Sequence, residues 1–372
     1  VPEAETSGDA AEVRRELGLP ADQEDLVAAL LELGVSAEAM AVAHARGRLE
    51  DAVFDMVLRP ERERRTVSAR QIEEWGGWPA AATQQMIHAF GFPSPEPEEP
   101  WFSPDEAESL VAAAQRSQWW PQDVQLGLSR IWGQALARIA AAEVYNFRFG
   151  TAASVRRSDV SAAEALGTVQ RALAELLPLA DPLLLGIHRR WVDYELTQFA
   201  VREAEDQAPD AIPGATDVCL LFCDLKDFTA YAELHGDQAA VDAANRFSGV
   251  TFDERGAEGR VVKGLGDGAM LAYPDAGPAV TAWRRIKAAM DEEDLPALHG
   301  AVHKGEILRY EGDYFGSAVN LTARLLTLAR GGELLATGAA VASAGDDPQW
   351  RSLGRRRLRG FESELEIFRL ID

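Results

Sequence analysis

The stretch RVVKGLGDGAMLAY, Arg260 to Tyr273, constrains the fold more than any other part of the chain. Two apolar, partly β-branched runs flank Gly264-Leu265-Gly266-Asp267, which predicts a strand, a glycine turn and a second strand. Gly264, Gly266 and Gly268 also read as G-x-G-x-G. A dinucleotide-binding loop of that kind opens a helix, whereas here a strand follows, so the glycines belong to a hairpin. The same stretch contains one of only four lysines, Lys226, Lys263, Lys287 and Lys304. A lysine on a strand and an aspartate in the turn after it need a reason.

The surrounding segments place this hairpin in an α+β layer. VCLLFCD is an apolar run of strand length, TAWRRIKAAM a helix, ALHGAVHKGEILRY a strand pair or hairpin, and GSAVNLTARLLTLA a helix. GELLAT, RRRLRGF and LEIFRL read as short closing strands. The order predicts a ferredoxin-like α/β sandwich over residues 209–372.

The earlier part of the chain reads as helix throughout. Ser103-Pro104-Asp105-Glu106 and Ser161-Ala162-Ala163-Glu164 carry capping-box signals. PSPEPEEPWF, at about 93–102, is a proline-rich connector expected to be extended and to subdivide this part. A linker helix over about 182–206 leads to Pro209, Pro213 and Gly214, which mark a boundary. Residues 1–208 are therefore expected to form an all-helical domain ahead of the sandwich.

Bulk properties exclude several classes of function. At 372 residues the chain supports two full cores, and its formal net charge of -23 opposes general binding to nucleic acid or to anionic membrane surfaces. VSARQIEEWGGWPAAATQQMIHAFGFP resembles a helix-turn-helix, but Pro79 to Phe92 contains no lysine or arginine, so core packing is the better reading. LPLADPLLLGI is interrupted by Asp181 and Pro182, and no membrane insertion is expected. The acidic start VPEAETSGDA lacks a signal-peptide pattern. Cys219 and Cys223 would lie about 13 Å apart on one strand, too far to bridge, which suits small buried thiols in a reducing, cytoplasmic setting. RPERERR, Arg59 to Arg65, reads as a solvated loop, and His44, His88 and His188 as structural histidines or sensors.

Three sets of residues carry chemical potential. Asp224 ends the strand VCLLFCD, and Asp267 sits in the neighbouring hairpin, so both carboxylates can approach one point. Two such acids suit Mg²⁺ with substrate phosphates, although each alone is equally a turn aspartate. Asn320 and Arg324 are spaced i, i+4 on a helix and share a face. Lys263 and Asp313 offer an ammonium donor and a carboxylate acceptor, which match the adenine edge and oppose that of guanine.

LFCDLKDFT, RVVKGLGDG and GDYFGSAVNLTARL together resemble the three signature segments of class III nucleotidyl cyclases, a likeness covering most of residues 217–370. The resemblance implies that Asp224 and Asp267 hold two Mg²⁺ or Mn²⁺ ions per site and that Lys263 and Asp313 read the purine of ATP. It further implies that Asn320 positions the ribose and Arg324 stabilises the phosphoryl transition state. Phe228 and Thr229 are expected to contact substrate, as is Arg359, which stands where a lysine is frequent. The implied reaction is attack of the ATP 3′-hydroxyl on the α-phosphorus, giving 3′,5′-cyclic AMP and pyrophosphate. In that family the metal aspartates come from one chain and the purine pair, asparagine and arginine from its partner, which implies a head-to-tail homodimer.

Two positions depart from the pattern. Asp227 replaces glycine or serine in the turn expected around the triphosphate, where its carboxylate weakens ATP binding or instead caps the next helix. Gly268 replaces a residue that is often acidic. The N-terminal part is similar to the helical regulatory domain of some actinobacterial cyclases. Two readings follow: a regulated adenylate cyclase, or a weak or inactive ATP-binding sensor on the same domain.

Overall fold

The computed structural model describes residues 10–117, 119, 121–147, 162–205, 215–292, 295–310 and 312–371. The chain divides into two compact units, Val1–Glu205 and Asp206–Asp372. Among the described residues no helix is long and apolar enough to cross a membrane.

The first unit contains α1 (Ala10–Glu16), α2 (Glu24–Glu32), α3 (Ala37–Ala45), α4 (Val53–Glu63), β1 (Val67–Ser68), α5 (Ala69–Glu74) and α6 (Ala80–Ala89). It continues with β2 (Pro100–Phe102), α7 (Pro104–Ala114), α8 (Gln122–Asn146) and α9 (Ala162–Glu205). The capping box of α7 forms: the Ser103 amide donates to Glu106 Oε2 at 2.8 Å, and the Glu106 amide donates to Ser103 Oγ at 3.4 Å. Ser161 and its capping signal, like Pro209, Pro213 and Gly214, lie outside the described residues.

The proline-rich connector is fastened at several points. Gln84 Nε2 donates to Pro95 O at 2.7 Å, the Arg70 amide donates to Pro97 O at 2.9 Å, and β2 pairs antiparallel with β1. Ile72 and Ile87 before it, Phe102 at its end and Ala107 after it share one buried cluster. The α6 face holding Thr83, Met86 and Ile87 is buried.

Two local expectations fail in this unit. Arg59 to Glu63 are helical, as part of α4, because Asp55 gathers Arg59 (Nη2 to Oδ2, 3.2 Å) and Arg62 (Nη1 to Oδ1, 2.5 Å) along one helix face. The linker helix begins at Ala162, well before Pro182. Pro178 and Pro182 lie inside it, each removing one backbone donor while the flanking turns continue.

The second unit runs β3 (Ala215–Leu225), α10 (Phe228–His235), α11 (Asp237–Glu254), β4 (Arg260–Gly264), β5 (Gly268–Tyr273), α12 (Ala276–Asp291) and β6 (Leu298–Tyr310). β7 (Asp313–Phe315), α13 (Ser317–Leu326), β8 (Leu334–Thr337), α14 (Gly338–Ser343), β9 (Gln349–Arg357) and β10 (Glu364–Ile371) complete it. The sheet order is β4-β5-β3-β6-β8-β10-β9, with β7 paired to β6, and every pairing is antiparallel except β6 with β8. Its first four strands have the ferredoxin-like arrangement.

Alternation along β3 explains the sandwich. Cys219, Leu221, Cys223 and Leu225 join Phe247 of α11 and Trp283 and Ile286 of α12 in one core, while Leu220 and Phe222 meet Met270, Ile307 and Ala318 of α13 on the other face. Both thiols are free and buried, and burial raises the Cys219 pKa to about 12.

ALHGAVHKGEILRY forms one strand instead of two. It pairs with β3 without a break from Leu225↔Leu298 to Ala215↔Leu308. Gly305 serves close approach instead of a turn, because a Cβ there would stand 2.9 Å from His303 Nε2 and 3.3 Å from Ala318 Cβ. RRRLRGF is only partly strand: β9 ends at Arg357, and the Phe361 amide donates to Leu358 O at 3.0 Å across a turn in which Gly360 has φ +90°.

Candidate active site

The β4–β5 hairpin brings the two acids together. Asp224 is in register with Gly268, and the Leu225 amide donates to Asp267 O at 2.9 Å. The turn closes through Leu265 N to Gly268 O at 2.7 Å, with Gly266 at φ +84°, a conformation glycine adopts without strain. Burial, then the neighbouring Asp224 charge, holds the Asp267 carboxyl above the usual carboxylate range. Asp224 Oδ1 is buried and has no hydrogen-bond partner among the described residues. A Cβ at 268 would stand 3.2 Å from that oxygen, so glycine leaves the Asp224 carboxylate uncrowded.

An orphaned carboxylate oxygen beside a second carboxylate suits a hard divalent cation. Among the described residues no three His, Cys, Asp or Glu side chains converge on a common point. Two carboxylates are the protein ligands that Mg²⁺ or Mn²⁺ takes when substrate phosphates and water complete its shell.

His299 is a neighbour that the sequence reading missed. It lies on β6 in register with Asp224 and is 6 % exposed. Its Nδ1 lies 3.2 Å from Ala329 O, and its Nε2 lies 3.7 Å from Asp224 Oδ2, too far for a hydrogen bond. The available signal was a histidine at an otherwise apolar position of a central strand.

The second pair is joined directly. Lys263 Nζ donates to Asp313 Oδ2 at 2.6 Å, and Asp313 Oδ1 accepts from the Tyr314 amide at 2.8 Å. A register shift between Val261 and Lys263 sets the lysine opposite Met270. Met270 faces the core beneath α13, so the lysine projects on that side of the sheet.

Asn320 and Arg324 lie one turn apart on α13, both exposed, opposite the buried Ala318, Leu321, Thr322 and Leu325. Among the described residues no hydrogen bond or ion pair connects either side chain to Asp224, Asp267, Lys263 or Asp313. Phe228 packs against the main core and stacks on Tyr231 at 6.2 Å, and Thr229 is exposed in the first turn of α10.

Arg359 is exposed in the β9–β10 turn. Register carries Phe222 across Ala301 and Leu335 to Arg369, so that turn lies beyond the end of β10 remote from Asp224. Asp227 is the only non-glycine residue with positive φ among those described, at φ 55° and ψ 33°. Its side chain makes no capping hydrogen bond to α10, so the expected alternative of a helix cap is not realised.

Proteins similar to this chain include adenylate cyclases. No family model matches the chain. It is 27% identical over 321 residues to a pH-sensitive adenylate cyclase of Mycobacterium tuberculosis, covering 82% of this chain and 78% of that protein. It is 28% identical over 367 residues to an uncharacterized protein of M. tuberculosis, covering 95% and 91%. An adenylate cyclase of Glutamicibacter nicotianae is 25% identical over 317 residues, covering 81% and 77%. Among solved structures, an adenylyl cyclase of P. aeruginosa matches with a TM-score of 0.38 and 21% identity, over 42% of this chain and 95% of that one.

Proposed function

We propose that the chain is an adenylate cyclase that converts ATP to 3′,5′-cyclic AMP and pyrophosphate at a homodimer interface, under control of its helical N-terminal unit. The observation that carries this reading is the buried, unpaired Asp224 Oδ1 beside Asp267. Those two side chains would hold Mg²⁺ or Mn²⁺, two per site, and the bound cations would ease ionisation of the 3′-hydroxyl and offset phosphate charge.

The chain's own residues do the rest. Lys263 donates to a ring nitrogen of adenine and Asp313 accepts from its amino group, which selects ATP over GTP. Phe228 and Thr229, at the start of α10, and Arg359 bind the substrate. Asn320 orients the ribose, and Arg324 brings fixed positive charge to the phosphoryl oxygens, a contribution of about 3 kcal/mol for one such donor. In this reading one protomer supplies Asp224 and Asp267, and its partner supplies Lys263, Asp313, Asn320 and Arg324. The buried free thiols support a reducing, cytoplasmic setting.

The test is incubation of the full chain with ATP and Mn²⁺ or Mg²⁺, with cyclic AMP quantified by chromatography. Turnover that Asp224→Ala abolishes supports the reading. ATP binding without turnover would favour a sensor on a cyclase-like domain, a second reading that the exposed Asp227 carboxylate at the head of α10 supports.

A further inference from the structure

His299 is held by one ring nitrogen and turns the other towards Asp224. The loop after α13 is fastened to the backbone on either side of this histidine: the Gly332 amide donates to Leu298 O at 2.7 Å, and the Gly300 amide donates to Glu333 O at 2.9 Å. Those bonds fix the buried Ala329, whose carbonyl oxygen lies 3.2 Å from His299 Nδ1. A carbonyl oxygen only accepts, so Nδ1 carries the proton and donates.

The second nitrogen is then an acceptor. Nε2 lies 3.7 Å from Asp224 Oδ2, itself an acceptor, and that distance is too long for a hydrogen bond between them. Two acceptors therefore stand side by side, next to the partnerless Oδ1 of the same carboxylate. A hydrated cation satisfies such a set: the carboxylate takes the metal, and the imidazole accepts from water in its shell. The Asp224 side chain is 33% exposed while the ring is buried, so the ring is a fixed wall beside a reachable carboxylate.

We propose that His299 is a positioning residue of the cation site, accepting through Nε2 a hydrogen bond from water on the cation that Asp224 holds. The inference rests on the reading of Asp224 and Asp267 as cation ligands. All three residues lie in one protomer, so it does not depend on how protomers pair.

Titration of the full chain with Mn²⁺ in the absence of nucleotide, read by loss of the free-ion electron paramagnetic resonance signal, tests it. His299→Asn and His299→Gln separate the two nitrogens. The asparagine amide reaches only as far as Nδ1, so it keeps the bond to Ala329 O and loses the acceptor beside Asp224. The glutamine amide reaches as far as Nε2, so it keeps that acceptor and loses the tether. His299→Asn should weaken Mn²⁺ binding about tenfold with little change in melting temperature. His299→Gln should melt lower yet bind Mn²⁺ within about threefold of the wild type. A tenfold loss in His299→Gln, or none in His299→Asn, would make His299 a purely structural histidine and overturn the proposal. The first of these outcomes is decided on His299→Gln alone, so the test stands even if His299→Asn does not fold. Wild-type binding that is absent, or that survives Asp224→Ala, would overturn the cation reading of the two acids, and this inference with it.

Discussion

Lys263 and Asp313, fifty residues apart in the chain, are joined by a single hydrogen bond of 2.6 Å that ties the hairpin strand β4 to the short strand β7. The two side chains satisfy each other, and both are partly exposed, so the ion pair itself adds little stability. Under the proposed function, this ammonium and carboxylate present the donor and acceptor that adenine complements.

If this pair reads the base, Lys263→Glu with Asp313→Cys should lower kcat/KM for ATP about a hundredfold, as expected when two hydrogen-bond partners of the base are lost. Discrimination against GTP should relax in the same variant. Steady-state kinetics with both nucleotides gives the answer, and unchanged ATP selectivity would show that the base is read elsewhere.

Asp227 predicts an effect of the opposite sign. Its left-handed backbone costs a non-glycine residue about 1 kcal/mol, and its carboxylate is exposed at the start of α10 without capping it. Asp227→Gly should raise the melting temperature by roughly 1–3 °C, after the greater flexibility of glycine in the unfolded chain is subtracted. It should also lower KM for ATP by removing a negative charge near the triphosphate. A melting temperature that falls would refute the strain argument, and an unchanged KM would place the carboxylate away from the phosphates.

His303 gives a pH dependence. Burial lowers its pKa, partly opposed by the charge of Asp217, while Nδ1 pairs with Thr337 Oγ1 at 2.7 Å. The folded state therefore holds the ring neutral at pH values where the unfolded chain begins to protonate it. Its contribution to stability is complete above the unfolded pKa of about 6.5 and is lost as pH falls through the folded value. Thermal melts from pH 8 to pH 5 should fall more steeply for the wild type than for His303→Gln. Parallel curves would mean that other groups set the acid limit.

Much of this arrangement was legible in the sequence, and the failures have local causes. The hairpin around Asp267 could be read because glycines at 264, 266 and 268 flank a turn that a helix cannot follow. Asn320 and Arg324 were legible because i, i+4 spacing survives in any helix. The split of ALHGAVHKGEILRY failed because Gly305 looks like a turn, whereas it admits Ala318 of α13, a contact between distant segments that local pattern cannot show. RPERERR is solvated as expected but helical as far as Glu63, because Asp55, one and two turns earlier, gathers Arg59 and Arg62. His299 was missed for a similar reason: only strand pairing reveals that it stands beside Asp224.

The proposed division of Asp224 and Arg324 between two protomers leads to the sharpest expectation. If each site takes its acids from one protomer and its arginine from the partner, Asp224→Ala and Arg324→Ala should each abolish activity alone. In a mixture, a heterodimer has one site carrying both lesions and one carrying neither. Random assortment makes about half of the dimers heterodimeric, each with one of two sites intact, so recovery should approach about a quarter of the wild-type rate. Subunit exchange is confirmed independently by pulling down one tagged variant and detecting the other. No recovery despite confirmed exchange would mean that each chain builds its own complete site. α13 would then have to turn Arg324 towards Asp224 within a single protomer, and activity in a dilute, verified monomer would establish that alternative.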